Sequence, residues 1–303
     1  MSPLTALWIN LFVTALWPIA GKAGGEFITP ALLVFLASVI SVLCFTPHLT
    51  KNKLWGKLFD KKLWKYFLVM GVFGTAIPFT SMFVALQYTT PSNTAILNQS
   101  ELLYSLVITY FMLGEKPSLS QLAGSALIIS GVLIILVNEH FSPRWTGDLI
   151  VLLTPWTFQL AHATAKKLPK DLDDIFVSAA RSLYGLFALV PVIIYLHFTT
   201  GLKFVPTKGS MLSLFFLGAI FYGVARPLWY KAIRNIDLSK VTAITLSYPV
   251  ITLIFSALLG IEKIYLYQTI GLVMAFSGAM WITVIVKKSN NLKNKLKERG
   301  TQK

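Results

Sequence analysis

A chain of 303 residues that is 55% hydrophobic and only 13% charged, with a mean hydropathy of +0.68, is too apolar for a soluble globular domain, where about a quarter of residues are charged. Its formal charge of +15 could suit a nucleic-acid partner, but the basic residues collect in short breaks between apolar runs and in the C-terminal tail, which argues against one. Those runs, each roughly 18–22 residues, can cross a ~30 Å hydrocarbon layer as helices; they are apolar on nearly every side and lack the short-period alternation of a transmembrane barrel.

In chain order the runs predict helices at 4–20, 30–45, 63–86, 93–113, 119–138, 147–165, 176–197, 211–232, 241–259 and 265–286. The first carries no basic leader or cleavage site and reads as a retained span. Pro18 and Pro30 restrict the ends of the first two. The basic loop 51–65 follows, with Leu54, Trp55, Leu58 and Phe59 able to form a short interfacial helix. Cys44 is the sole cysteine and sits inside an apolar run, so no intramolecular disulfide forms and the redox compartment is unreadable. The tail after Val286 is strongly basic and either solvated or held at anionic headgroups.

A shift of 147 residues superposes the two halves of the sequence. Ala85 falls on Ala232, Ser92 on Ser239, Ser100 on Ser247, Glu115-Lys116 on Glu262-Lys263, Gln121 on Gln268, Gly124 on Gly271 and Ser130-Gly131 on Ser277-Gly278; Gly71 on Gly218 extends the register upstream. The units are 1–138 and 139–286, followed by the tail 287–303. Basic residues fix their direction. With the N-terminus in the cytoplasm, only Lys22, Arg144, Lys203, Lys208 and Lys263 fall outside and Arg181 and Arg226 lie within spans, while the remainder of the 27 Lys and Arg residues face inward. The expected fold is therefore an all-α integral membrane protein of ten transmembrane helices in two inverted five-helix repeats, both termini cytoplasmic, an architecture usual in transporters.

Polar residues inside spans mark where a site should lie, because a charge facing lipid costs at least a few kcal/mol. Thr94, Asn98, Glu101 and Ser105 share one face of the fourth helix. Glu101 is either a substrate or proton site or a structural partner of a neighbouring helix. In the second unit Tyr248 stands at its place, followed by Pro249, which can open the helix ladder or merely kink it. Arg226, flanked by Tyr222 and Tyr230, must pair, reach water or snorkel. Arg181, with Ser178, is expected as an interfacial anchor or gate. Asn10, Thr14, Trp17 and Gly21 align in the first helix, and Trp156, Gln159, His162 and Lys166 in the sixth. Trp17, Trp156, Phe79, Phe83 and Tyr104 could wall a pocket; His162 could relay protons. The duplicated Glu115 and Glu262 suit capping of free helix-start amides, and the paired glycines suit close helix contacts or a dimer contact. No metal-ligand spacing, nucleotide loop, catalytic triad or redox cysteine pair appears, so neither cofactor nor enzymatic chemistry is expected.

Phe83-Val-Ala-Leu-Gln-Tyr followed by Ala95, the Leu113-Gly-Glu-Lys turn, Gln121, Gly124 and Ser130-Gly-Val, with their second-copy partners Ala232, Glu262-Lys, Gln268, Gly271 and Ser277-Gly, resemble the drug/metabolite transporter superfamily, specifically its ten-helix EamA-type exporters. That resemblance implies a central cavity built largely by helices three, four, eight and nine, with the fifth and tenth packing away from it. It leaves the substrate open, because Asn98 and Glu101 stand where many members have an apolar residue or proline. The expectation is a secondary transporter of the bacterial cytoplasmic (inner) membrane, monomeric or weakly dimeric and surrounded by lipid, exporting small metabolites such as amino acids by alternating access. Arg226 would bind carboxylate, Glu101 an ammonium or coupled proton, and Trp17, Phe79, Phe83 and Tyr248 the side chain. The rivals are uptake or exchange of nucleotide-like or phosphorylated metabolites, and a non-transporting scaffold or lipid-binding protein.

Overall fold

A computed structural model describes the chain apart from residues 90–93, 95–96, 137–143, 259–264 and 301–303. The regular structure among the described residues is helical, apart from an isolated antiparallel bridge between Ile28 and Phe204 that ties two loops together. Six helical stretches among them are long and apolar enough to cross a membrane: Pro3–Gly25, Pro30–Lys51, Trp64–Tyr88, Asp174–Thr199, Lys208–Ile233 and Thr269–Val286. Leu119–Ile134 and Leu238–Ile251 are shorter apolar helices. Large apolar side chains such as Phe111, Leu119 and Phe198 stand exposed on the outside, where lipid rather than water is their solvent. The protein is an all-α, multi-pass integral membrane protein.

Several expected spans are broken, and proline is the common cause. Trp64–Gly71 passes into a π-helical turn at Val72–Ala76 before the helix resumes as Ile77–Tyr88. Lys208–Phe215 likewise passes through a π segment at Phe216–Ala225 into Arg226–Ile233. Trp145–Leu153 restarts as Pro155–Lys166, and Leu238–Thr245 restarts as Tyr248–Leu258. Pro78, Pro155, Pro227 and Pro249 each sit at the first or second residue of the resumed helix. Proline has no amide to give and its ring crowds the carbonyl four residues back, so the ladder widens or breaks there. The first expected span is also divided, into Pro3–Thr14 and Trp17–Gly25.

Two boundaries differ from expectation. The helix predicted at 30–45 runs to Lys51 through Pro47; Thr46 Oγ bonds back to the Val42 carbonyl at 3.0 Å, and Asn52 donates to the His48 carbonyl at 2.9 Å to close the end. The last helix continues from Leu266 to Gly300 instead of stopping at Val286, because the Lys, Leu, Glu and Arg of the tail are good helix formers. In the loop after Lys51 the expected short helix is a 3₁₀ turn, Gly56–Phe59, with Leu58 fully buried and Phe59 58% exposed.

Helix packing depends on the small residues. Leu119–Leu136 lies along Leu266–Gly300 so closely that a Cβ on Gly131 would fall 2.5 Å from Ala275 N and 2.6 Å from Gly271 O, and one on Gly278 would fall 2.7 Å from Gly124 O. Gly71 meets the backbone of Tyr184 and Gly185, and Gly218 meets Ile40 and the Ala37 carbonyl. Gly223, in the second π segment, faces the Cys44 side chain. Lipid tails give helices no hydrophobic reason to associate, so contact through glycine, at full van der Waals density, is what holds such pairs. Gly131→Ala should therefore destabilise by about 1–3 kcal/mol. Gly124→Ala, which would meet chiefly the Ile282 side chain rather than backbone, should cost less. Thermal denaturation of both purified variants checks the order.

Candidate functional site

Between these broken helices lies a cavity of about 120 Å³, lined by residues from both halves of the chain. One wall is aromatic. The Trp17 ring meets Phe79 edge-on at 6.1 Å and stacks on Phe221 at 6.5 Å, while Phe79 meets Phe158 at 5.2 Å and Phe221 at 5.8 Å. Asn10 and Thr14 line the cavity beside Trp17, as their alignment in the first helix predicts. Phe83 stands behind this wall, 6.1 Å from Trp17 and wedged on Gly21. Trp156 is not brought to the cavity: it is 39% exposed and packs on Phe73 at 5.7 Å. The restart of the helix at Pro155 places it in a first turn, off the line expected from unbroken spacing.

Opposite the aromatic wall the fourth and ninth expected spans break side by side. Asn98–Ser100 forms a 3₁₀ turn leading into the helix Glu101–Leu113, while Leu246 and Ser247 separate the two halves of the other span. Gln99 donates to the Leu246 carbonyl at 3.5 Å, joining positions 147 residues apart. Glu101 lines the cavity and accepts a 2.7 Å hydrogen bond from Gln159 Nε2, whose amide also reaches Thr242 Oγ1 at 3.3 Å. Ser105 Oγ donates to the same threonine at 3.2 Å, so the polar face predicted for this helix does turn inward. Asn98 lies within interaction range of both Glu101 and Tyr248, and all three line the cavity. Pro249 is buried beside Tyr248 at the start of the resumed helix.

Each of the two arginines on the cavity is tied to a π segment, Arg226 by following one and Arg181 by donating into the other. Arg226 opens the helix after the second π segment, 5% exposed, with its guanidinium carbon 3.8 Å above the Tyr222 ring. Nη1 donates to Ser182 Oγ at 2.6 Å, and Nη2 is buried without a hydrogen-bond partner. Arg181, expected near an interface, is instead 3% exposed and lines the cavity. It donates to Thr75 Oγ1 at 3.0 Å, to Tyr230 Oη at 3.2 Å and to the Gly74 carbonyl in the first π segment. Asn10 serves the second π segment in the same manner, donating to the Ala225 carbonyl at 2.9 Å. His162 lines the cavity between Phe158 and Trp229, at 6.1 and 4.9 Å, and its Nδ1 has no hydrogen-bond partner.

One end of the bundle carries a separate charged cluster. Glu115 accepts from the Leu238 amide at 2.9 Å, the Ser239 amide at 3.2 Å and Ser239 Oγ at 3.1 Å, and pairs with Lys166 at 2.9 Å. The capping role expected of it is present, on the helix Leu238–Thr245 of the other half instead of the helix that follows it in sequence. Arg234 pairs with Asp174 at 2.7 Å and donates to the Leu172 and Pro169 carbonyls. Lys170 donates to the Arg234 carbonyl; burial first, then the charges of Lys166 and Arg234, hold its ammonium below the usual lysine range. The matching Glu262 and Lys263, and also Ser92 and Ala95, lie outside the described residues.

Met82, Phe158, Phe221, Trp229, Thr242 and Leu246 also line the cavity without having been singled out as site residues. Phe158 lies one turn before His162, and Trp229 three residues after Arg226, so helical spacing from those polar residues could have found them. Among the described residues no group of three or more His, Cys, Asp or Glu is placed to hold a metal ion.

The profile of the EamA-like transporter family matches residues 2–137 and 145–284. An uncharacterized transporter of Archaeoglobus fulgidus is 25% identical over 225 residues, covering 73% of this chain and 76% of its own length. The uncharacterized transporter YyaM of Bacillus subtilis is 24% identical over 257 residues, covering 83% and 81%. A solved crystal structure superposes with a TM-score of 0.76 over 94% of this chain and 98% of its own, at 16% identity, a likeness of fold.

Replacing Glu115 by Ala would strip two helix-start amides and leave the half-buried Lys166 with the Ile236 carbonyl but without its charge partner. A loss of about 2–4 kcal/mol is expected, measured as a lowered midpoint of thermal unfolding in detergent.

Proposed function

This chain belongs to the EamA-like transporter family, and we propose that it is an exporter of a small carboxylate-bearing metabolite, amino acids being the leading class. Secondary transport, not catalysis, is the activity family membership carries. The observation that carries the substrate reading is Arg226: a buried guanidinium lining the cavity with one nitrogen unpartnered. A carboxylate would satisfy that nitrogen through a charge-assisted hydrogen bond. Glu101, on the polar wall, would take an ammonium, and the rings of Trp17, Phe79, Phe221 and Tyr248 would hold an apolar side chain.

The mechanism is alternating exposure of this cavity by two inverted five-helix units, ten spans in all, with 1–138 and 139–286 as the units and the tail from Lys287 beyond them. Match of the family profile to two successive segments supports that division. So does the position of the breaks: Asn98–Ser100 lies 147 residues before the interruption at Leu246 and Ser247, and Val72–Ala76 maps by the same shift into Phe216–Ala225. Gly223 and Pro249 would act as flexible points. The protein would sit in the bacterial cytoplasmic membrane with both ends inside, and protons would couple through Glu101, with His162 as relay. Transport of a nucleotide-like or phosphorylated solute is the second reading, favoured by Arg181 standing beside Arg226 on the same cavity.

Flux of labelled amino acids into and out of proteoliposomes tests the activity. Arg226→Gln should lower flux about 10- to 100-fold, the worth of a charge-assisted contact. Glu101→Gln should abolish the dependence of flux on a pH gradient; unchanged pH dependence would remove Glu101 from coupling.

A further inference from the structure

Charge balance in the cavity is uneven. Among the described residues, the titratable side chains that line it are Glu101, His162, Arg181, Arg226 and Tyr248, and of these only the Glu101 carboxyl can bring a negative charge near neutral pH. Both arginines remain cationic. Neither takes part in any salt bridge among the described residues. Their partners among the described residues are neutral: Ser182, Thr75, the Gly74 carbonyl and the Tyr230 hydroxyl, with the Tyr222 ring under Arg226. These groups satisfy N–H donors and leave the charges uncompensated. Glu101 is held on the other wall by Gln159. With Glu101 ionised the cavity carries at least one surplus positive charge, with Glu101 protonated at least two, and protonation of His162 would add another.

We infer that the solute this cavity takes is a net anion, an organic acid with one more acidic than basic group, and that the surplus acid sits against the Arg181–Arg226 pair. The inference rests on the transport reading for its biological meaning and narrows the substrate class within it. A simple zwitterion answers Arg226 and Glu101 but leaves the second guanidinium uncompensated in a medium of low dielectric, where an unpaired charge is costly. A dicarboxylic amino acid, an aromatic keto acid or a phosphorylated solute supplies the missing charge. The aromatic wall of Trp17, Phe79, Phe158 and Phe221 then accommodates whatever body carries the acid.

The test is binding of a series that holds shape and varies charge: phenylpyruvate, phenylalanine and phenylalaninamide, with glutamate against glutamine as a second pair. Trp17 and Trp229 line the cavity, so intrinsic fluorescence of the purified protein reports occupancy. The expected result is half-saturation at least about tenfold lower for phenylpyruvate than for phenylalaninamide, with phenylalanine between, and lower for glutamate than for glutamine. Arg226→Gln should move the acid-to-amide ratio toward one. The wild-type ratio decides even if that variant fails to fold. Equal or tighter binding of the amide or of glutamine, or no binding by any of the five, overturns the inference. Flux of the same five solutes in proteoliposomes separates the two readings. Selective flux of the amide overturns the charge inference and leaves transport standing, whereas acid-selective binding with no flux overturns transport and leaves the charge inference standing.

Discussion

A helix interrupted within hydrocarbon must find partners for every backbone group its break releases, because no water is at hand to take them. That constraint organises this molecule. Arg181 serves the Gly74 carbonyl, Asn10 the Ala225 carbonyl and Gln99 the Leu246 carbonyl. Each reaches across from another segment, so each of these three breaks is also a cross-link. Irregular backbone survives at membrane depth only where protein or a cavity receives it, and here the breaks ring the cavity. The proline that interrupts a span, the polar side chain that repairs it and the space that opens beside it are three aspects of one arrangement.

Repair of the breaks and lining of the cavity draw on the same residues. Arg181 closes a π segment with three donated hydrogen bonds while presenting its charge to the cavity. Asn10 repairs the other π segment and lines the same space. Such double use ties the shape of the site to the fold: altering the charge of the cavity also disturbs the backbone that frames it. Glu115 is a contrasting case. Its carboxylate lies at one end of the bundle, away from the cavity, and joins the start of Leu238–Thr245 to Lys166 on the neighbouring helix. It fastens elements from both halves of the chain without offering anything to a solute.

Much of this was legible in the sequence. Apolar run length and the scarcity of charge gave the membrane and the helices. The cost of a polar group facing lipid was enough to turn Asn98, Glu101, Ser105, Gln159 and Arg226 inward, as found. What escaped depended on geometry that periodicity assumes away. Trp156 falls off its predicted line because the helix restarts at Pro155, and Arg181 is a cavity residue because the π segment it repairs lies deep between helices. Hydropathy counts residues and cannot see a turn widened by one. The tail eluded the reading for another reason: loss of hydrophobicity after Val286 ends a span, but it does not end a helix.

Cys44 is the chain's one thiol, exposed on the helix Pro30–Lys51, and its side chain faces Gly223 within the π segment Phe216–Ala225. A nitroxide or fluorine tag placed there needs no prior removal of other cysteines. The native protein thus comes with a single spectroscopic handle beside a widened turn, where a change in helix winding would alter the tag's surroundings directly.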